Sequence, residues 1–334
     1  MRKAANKKNK YINNTHKMIL FSTALLLIIS GAAMYLSQYY TQQKIADNNA
    51  LSTNLMSDYL AEIVSDMTTL KYAFSNNISL VHTLKTILGS YEITFKERQS
   101  YSMVQTTLLA QMYSKPYVDS FYLYYTNNLQ RFYVSDVSHN TSYVGTLSTH
   151  TDTDWFNSYQ TAEATQRFWT ERRELRSSSL DTIPTQPVIS LYNCLYTVGS
   201  VHSSGIFVVN LNRNYLENTL RELAAVGQSV FVFNEKNQLL LDVSSDILSA
   251  EMVVSEISPE NPPQKVRINK TTYNVYSAQD MEMGWHLITL IDTSEQSAIF
   301  SIPSFAIIGI CLVALLTQYF GSAYLARKNY LLAQ

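Results

Sequence analysis

The chain has few of the residues that staple, bend or catalyse. It has two cysteines in 334 residues. Cys311 sits inside an apolar run, and Cys194 has no second cysteine anywhere in the long intervening segment. No intramolecular disulfide is available there, so that segment depends on its own core. Nine glycines leave little room for a loop that cradles phosphate, and neither a GxSxG turn nor a Walker loop occurs. His82, His139, His150, His202 and His286 lie far apart without HxxxH or HExxH spacing, so no metal site and no cofactor are expected. Outside the two ends there is no cationic run, which excludes a basic nucleic-acid binder.

Charge is missing from two long stretches. Met18–Tyr40 is 23 residues without a charged side chain, and Gln296–Ala326 is 31. Crossing a bilayer takes about 20 mostly apolar helical residues. Tyr35, Tyr39 and Tyr40 close the first run and Tyr319 and Tyr324 the second, as suits a membrane interface.

The formal net charge of −1 hides a segregation. Arg2, Lys3, Lys7, Lys8, Lys10 and Lys17 precede the first run, Arg327 and Lys328 follow the second, and no acid accompanies either group. Residues 41–298 hold 17 basic and all 26 acidic residues, a sum of −9. The positive-inside bias then places both termini in the cytoplasm and residues 41–298 outside. The expected layout is a basic cytoplasmic tail (1–17), a transmembrane helix (18–40), an extracellular region (41–298), a second transmembrane helix (299–325) and a short cytoplasmic tail (326–334). A cleaved signal peptide ending near Ser30-Gly31-Ala32 is the alternative for the first run. That run is longer than the usual core of about 7–15 residues.

Beyond the first run, Met56, Leu60, Ile63, Met67, Leu70, Phe74, Asn77, Val81, Leu84 and Leu88 alternate steps of four and three. This predicts a long spine helix over 41–89 with one apolar seam. The seam can pack along a sheet of its own chain or pair with a second copy as a homodimer, and it is expected to serve both contacts along different parts of its length. Asn77 either sets the register of such a pair or faces a turn. Pairing between copies would give cysteine crosslinks at positions 60, 67 and 74.

After about residue 116 the period becomes two. Val118–Thr126 and Gln130–Ser135 flank Asn127-Asn128 and read as a hairpin. Arg167–Glu171, Val188–Val198 and Gly205–Asn212 are further strands, and Asn214–Ala225 is a helix stopped by Gly227. A second set follows: Ser229–Asn234, Gln238–Asp242, Lys265–Asn269, Thr272–Gln279 and Trp285–Asp292, interrupted by the proline-rich loop SPENPPQ. The fold class is α+β, with two sheet units on one spine. The acidic run Asp242–Glu260 and the cluster Arg172, Arg173, Arg176 read as solvated faces; contact with lipid headgroups or an anionic ligand is the alternative for the basic cluster. Asn77, Asn140 and Asn269 begin Asn-x-Ser/Thr triplets, expected by chance in a chain this rich in asparagine.

VDSFYLYYTNNLQRFYVS, DTDWF, PVISLYNCLY, GIFVVNLNRNYLENTL, SVFVFNEKNQLLLD and the closing YNVYSAQDMEMGWHLITLID occur in the order and spacing of a double Cache sensor domain. The chain resembles the extracytoplasmic regions of bacterial sensor histidine kinases and membrane-bound AraC-type regulators of Gram-positive species. The resemblance implies two PAS-like antiparallel units: a membrane-distal unit (90–226) that holds the ligand pocket and a proximal unit (227–298) that transmits. Gly284-Trp285 then leads the last strand. Amino-acid-binding members carry an arginine two residues before their Trp-aromatic pair. Here the pair is Trp155-Phe156 and that position is Thr153, so an amino-acid ligand is not expected. No output domain fits into Arg327–Gln334, so the chain is expected to be truncated or to signal through a separate cytoplasmic partner.

The candidate pocket follows from aromatic density, with 24 tyrosines in the chain. Tyr122 and Tyr124 share one strand face; Phe121, Leu123 and Tyr125 share the other, more apolar face, expected to meet the spine. The first face would look towards a loop with Asp154, Trp155 and Phe156. Arg167 and Trp169 share a face of the next strand, and Tyr192 lies on the following one. Arg167 can anchor a carboxylate or phosphate; Asp154 or Asp181 can anchor an amine. The competing reading is that the rings are core and Arg167 is solvated.

These readings converge on a membrane-anchored sensor module. A small extracellular molecule would bind it, and a shift would pass along the spine and the second membrane helix, with Pro303 as a kink point. A cell-surface adaptor holding a partner protein is the alternative. An ectoenzyme ranks last, for want of a reactive constellation.

Overall fold

The computed structural model describes residues 2–91, 94–112, 114–137, 140–162, 166–176, 185–196, 203–244, 248–278, 284–293, 308–317, 319–321 and 324. The chain forms two compact units, Met1–Asn48 with Asp292–Gln334, and Asn49–Ile291.

In the first unit the described residues other than Asp292, which ends a strand, are helical. Helix α1 (Arg2–Ser75) begins here and continues into the second unit. It is the one described helix long and apolar enough to cross a membrane, and none of its most apolar stretch is buried. Of the second apolar run, Ile308–Gly321 is a shorter apolar helix. Pro303, His139, Asp181 and His202 lie outside the described residues.

The second unit is built on the latter part of α1. Met56, Leu60, Ile63, Met67, Leu70 and Phe74 are all at most 5% exposed and belong to a core shared with both sheets. The seam is therefore occupied within its own chain at Leu60, Met67 and Phe74, as the first of its two contacts requires. A second copy would have to meet another face of the helix.

The spine is also not one helix. It ends at Ser75, and α2 (Ile78–Gly89) starts anew, with the Asn77 side chain accepting the Leu80 N–H at 3.0 Å. Asn77 is thus an N-cap, satisfying a donor that a helix start leaves bare. Helix α3 (Phe95–Met112) was not predicted; its buried Val104, Leu108 and Met112 form a stripe too sparse to read.

The first sheet has strands β1 (Val118–Tyr125), β2 (Arg131–Asp136), β3 (Thr141–Thr146), β4 (Phe168–Leu175), β5 (Gln186–Tyr196) and β6 (Ser203–Asn212), in the order β3-β2-β1-β6-β5-β4. Its pairings are antiparallel. Alternation works as the sequence indicates. Phe121, Leu123 and Tyr125 join the α1 core, and Phe74 meets Phe207 edge-on with ring centres 5.0 Å apart. Tyr122 and Tyr124 face the other way. Helix α4 (Asp154–Thr161) covers that second face, where the sequence suggested a loop.

Helix α5 (Arg213–Leu223) links the sheets and stops at Ala224; Gly227, at φ +76°, belongs to the turn that starts the next strand. The second sheet has strands β7 (Gln228–Phe233), β8 (Leu239–Val243), β9 (Lys265–Ile268), β10 (Thr271–Ala278) and β11 (His286–Asp292), in the order β8-β7-β11-β10-β9. Helix α6 (Ala250–Glu256) lies within the acidic run read as solvated. Val253 and Ile257 are buried against Phe231, Phe233 and Ile288, so that run also closes the outer core of this sheet.

Leu60→Ala should cost about 2–5 kcal/mol and Asn77→Ala about 1 kcal/mol in denaturant unfolding. Gly205→Ala should be at least as damaging as Leu60→Ala, because a Cβ there collides with the Tyr124 carbonyl oxygen across the β1–β6 pairing. Wild-type stability for Gly205→Ala would refute this close packing.

Candidate ligand recess

The face of the first sheet under α4 carries a dense ring cluster. Trp155 is fully buried; it lies edge-on to Phe132 at 5.0 Å and at 5.7 Å from Tyr122. Phe156 is half-buried and meets Tyr124 edge-on at 5.2 Å. Trp169 stacks flat on its cross-strand partner Tyr192, with ring centres 4.6 Å apart. Large rings on alternate strand positions leave little space once a helix covers them. Tyr122, Tyr124, Trp155, Trp169 and Tyr192 are thus mutual packing partners.

At one side of this cluster a charge is buried. The side chains of Arg173 and Asp152 are 8% and 3% exposed and form an ion pair through Nη2 and Oδ1. The Tyr122 hydroxyl donates to Asp152 Oδ2 at 2.8 Å. Burial, and then the Asp152 carboxylate, push the Tyr122 phenol well above its ordinary value, so it remains a donor. Arg173 Nη1 donates to Ser190 Oγ at 3.3 Å and to the Tyr192 hydroxyl at 3.4 Å. The row continues across the sheet, Ser190 Oγ donating to Asn210 Oδ1 and Asn210 Nδ2 to Ser120 Oγ. Arg173 Nε is buried and, among the described residues, has no hydrogen-bond partner. A buried, unpaired donor is costly, so its exceptions call for an explanation.

Arg173 lines a recess of about 410 Å³ between α4 and β4. Asp154 and Ser158 come from α4, Glu171 and Glu174 from β4, and Arg176 and Thr185 from the segments that follow β4 and precede β5. Asp154 occupies the first turn of α4, where a carboxylate suits the helix dipole. Glu171 accepts from Ser158 Oγ at 2.9 Å and Trp169 Nε1 at 3.1 Å, which fixes one wall. Three carboxylates and Arg176 thus surround an arginine whose charge Asp152 already balances. Among the described residues, no group of three or more His, Cys, Asp and Glu side chains is placed to hold a metal ion.

Of the eight residues picked from the sequence, Asp154 lines the recess. The five buried rings and Phe156 form the cluster beside it. Arg167 is exposed, its guanidinium 5.5 Å from the Tyr196 ring centre, and it lies away from the recess. The buried arginine is Arg173, which the sequence reading put on a solvated face. The signal was present in the period of two: extended past Glu171, the strand puts Trp169, Glu171 and Arg173 on one face. Asp152 had no signal of its own, since only the fold brings it to Arg173, 21 residues on.

No family model and no curated protein matches the chain. Among solved structures, it is similar to the ligand-binding domain of the Campylobacter jejuni chemoreceptor Tlp3 in complex with L-valine (15% identity, covering 76% of this chain and 95% of that one, TM-score 0.46). It is also similar to the ligand-binding domain of the Pseudomonas aeruginosa PAO1 amino acid chemoreceptor PctB in complex with L-Arg (13%, 76% and 96%, TM-score 0.42). A third is the extracellular domain of vpHK1S-Z8, named as a histidine kinase (11%, 77% and 98%, TM-score 0.49). These neighbours are named as ligand-binding domains of chemoreceptors and as an extracellular domain.

Asp152→Asn leaves the Arg173 charge buried without compensation and should cost about 3–5 kcal/mol. Adding Arg173→Met should recover most of that loss. Urea unfolding of the single and double variants checks both; an unchanged midpoint for Asp152→Asn would show that the pair is not dry.

Proposed function

We propose that this chain is a membrane-anchored extracytoplasmic sensor that takes a small polar molecule into the recess beside Arg173. The observation that carries the reading is the buried arginine whose Nε–H lacks a partner among the described residues while the side chain lines a charged recess. An acceptor on a bound molecule would satisfy that donor once the side chain shifts to expose it to the recess. The carboxylates of Asp154, Glu171 and Glu174, set against Arg176, favour a ligand that also carries positive charge.

In this reading residues 18–40 and 299–325 cross the cell membrane, 41–298 face outward, and both short tails face the cytoplasm. The exposed apolar stretch of α1 and the charge segregation support it. We assign the chain no catalytic step. The recess reports through the second apolar run to a histidine kinase, a regulator or a separate signalling partner. Two copies would pair along the outer face of α1, where Leu51, Leu55 and Tyr72 are exposed.

A thermal-shift screen of the chain in micelles, with compounds grouped by charge, tests the reading. Small organic cations should stabilise it, by about 2.7 kcal/mol at a hundredfold excess over Kd. Asp154→Asn should weaken that binding about tenfold, the loss of one favourable charge contact. Stabilisation by no compound of any class would overturn the proposal.

A further inference from the structure

We propose that β4 acts as a lever between the recess and the second sheet, with Thr170 as its joint. The inference concerns the regulation of the recess and rests on that site being the one that is occupied. Along β4, Glu171 and Arg173 face the recess and Trp169 the ring cluster beside it. Thr170 sits between them and points to the opposite face, opposite Leu191 of the α1 core. There it is 1% exposed and meets two side chains of the second sheet unit. Its carbonyl oxygen accepts from Asn234 Nδ2 at 3.0 Å, and its hydroxyl accepts from the Trp285 indole N–H at 3.3 Å.

Both partners sit at control points of the second sheet. Asn234 follows β7, and its Oδ1 accepts from the backbone N–H groups of Lys236 and Gln238, which forms the turn to β8. Trp285, fully buried, directly precedes β11, the central strand of that sheet. The chain reaches it through Gly284 at φ +68°, a backbone conformation open to glycine. One peptide of β4 therefore holds both the β7–β8 turn and the start of β11.

Three properties make this a lever rather than ordinary packing. Thr170, Asn234 and Trp285 are each at most 1% exposed, so water cannot replace a broken bond and a displacement on one side must be followed on the other. β4 is the outermost strand of its sheet, so it can shift without disturbing a further strand. Finally, Glu171 is held from the recess side by Ser158 of α4 and by Trp169, so a change there acts on the residue next to Thr170. A further buried polar junction to the second sheet, where Ser52 and Thr53 of α1 bond Gln228 and Thr289, includes no recess residue.

The chain has three tryptophans, and they report on the two ends of the lever. In the full chain in detergent micelles, labelled with 5-fluorotryptophan, each gives a ¹⁹F signal that a Trp→Phe variant assigns. Glu171→Gln perturbs the recess without any ligand. It should shift the Trp169 signal directly and the Trp285 signal through Thr170. In a Thr170→Val background the Trp285 response should fall about fourfold or more while the Trp169 response persists, the signature of coupling through one residue.

Asn234→Asp keeps the oxygen that holds the turn and removes the amide donor to Thr170, so it serves if Thr170→Val does not fold, and the same loss is expected. A Trp285 signal indifferent to Glu171→Gln, or equally responsive with Thr170→Val, would overturn the lever. Because no ligand is added, that failure would leave the ligand reading standing. A fruitless ligand screen would not alter the ¹⁹F outcome.

Discussion

The apolar face of α1 between Met56 and Phe74 is the surface on which the rest of the second unit depends. With no disulfide available, the two sheets have no covalent tie beyond the chain itself, and each must bury an inner face. One helix face serves both, since residues of β1, β5 and β6 and residues of β7, β8 and β11 share its core. Each large side chain removed from water there is worth about 1.5–3 kcal/mol. The same face cannot also bind a second copy, so the helix that builds the monomer constrains where any dimer can form.

On the opposite faces the two sheets differ. The second is closed by α6 with an apolar cluster of ordinary character. The first is closed by α4 over aromatic rings, but at its edge it buries the Arg173–Asp152 pair and a row of hydroxyl and amide groups. An apolar filling of equal volume would cost less to bury, so the pair is a poor device for stability alone. It lies beside a charged recess, and among the described residues one of its donors is unsatisfied. Thr170, on the reverse of the same strand, ties that edge to the second sheet, so one short segment of β4 faces the recess on one side and the second sheet on the other.

Much of this was legible in the residue pattern, and the exceptions have identifiable causes. The seam of α1 and the two faces of β1 were readable because a single periodicity governed each, 3.6 or 2, with one face buried. Helix α3 escaped because its buried stripe is thin. Helix α4 escaped because it has only eight residues and its cap Thr153 makes no side-chain bond. Asn77 allowed two readings from sequence, since an asparagine in a seam fits either a register or a helix start. The hydrogen bond to Leu80 decided between them.

The recess shows where pattern stops. The sequence by itself determined the class of fold, the membrane-like runs, the distribution of charge and the strand faces, because these follow from local period and composition. It also pointed to Asp154 and to the aromatic faces around it. It could not tell Arg167 from Arg173, since both alternate with Trp169 along one strand. Which of the two is buried depends on where β4 ends and on which acid the chain returns to that spot. Asp152 meets Arg173, and Thr170 meets Asn234 and Trp285, only after elements 21 to 115 residues apart have packed together. Burial and long-range pairing are properties of the assembled sheets, and the tertiary structure alone decided them.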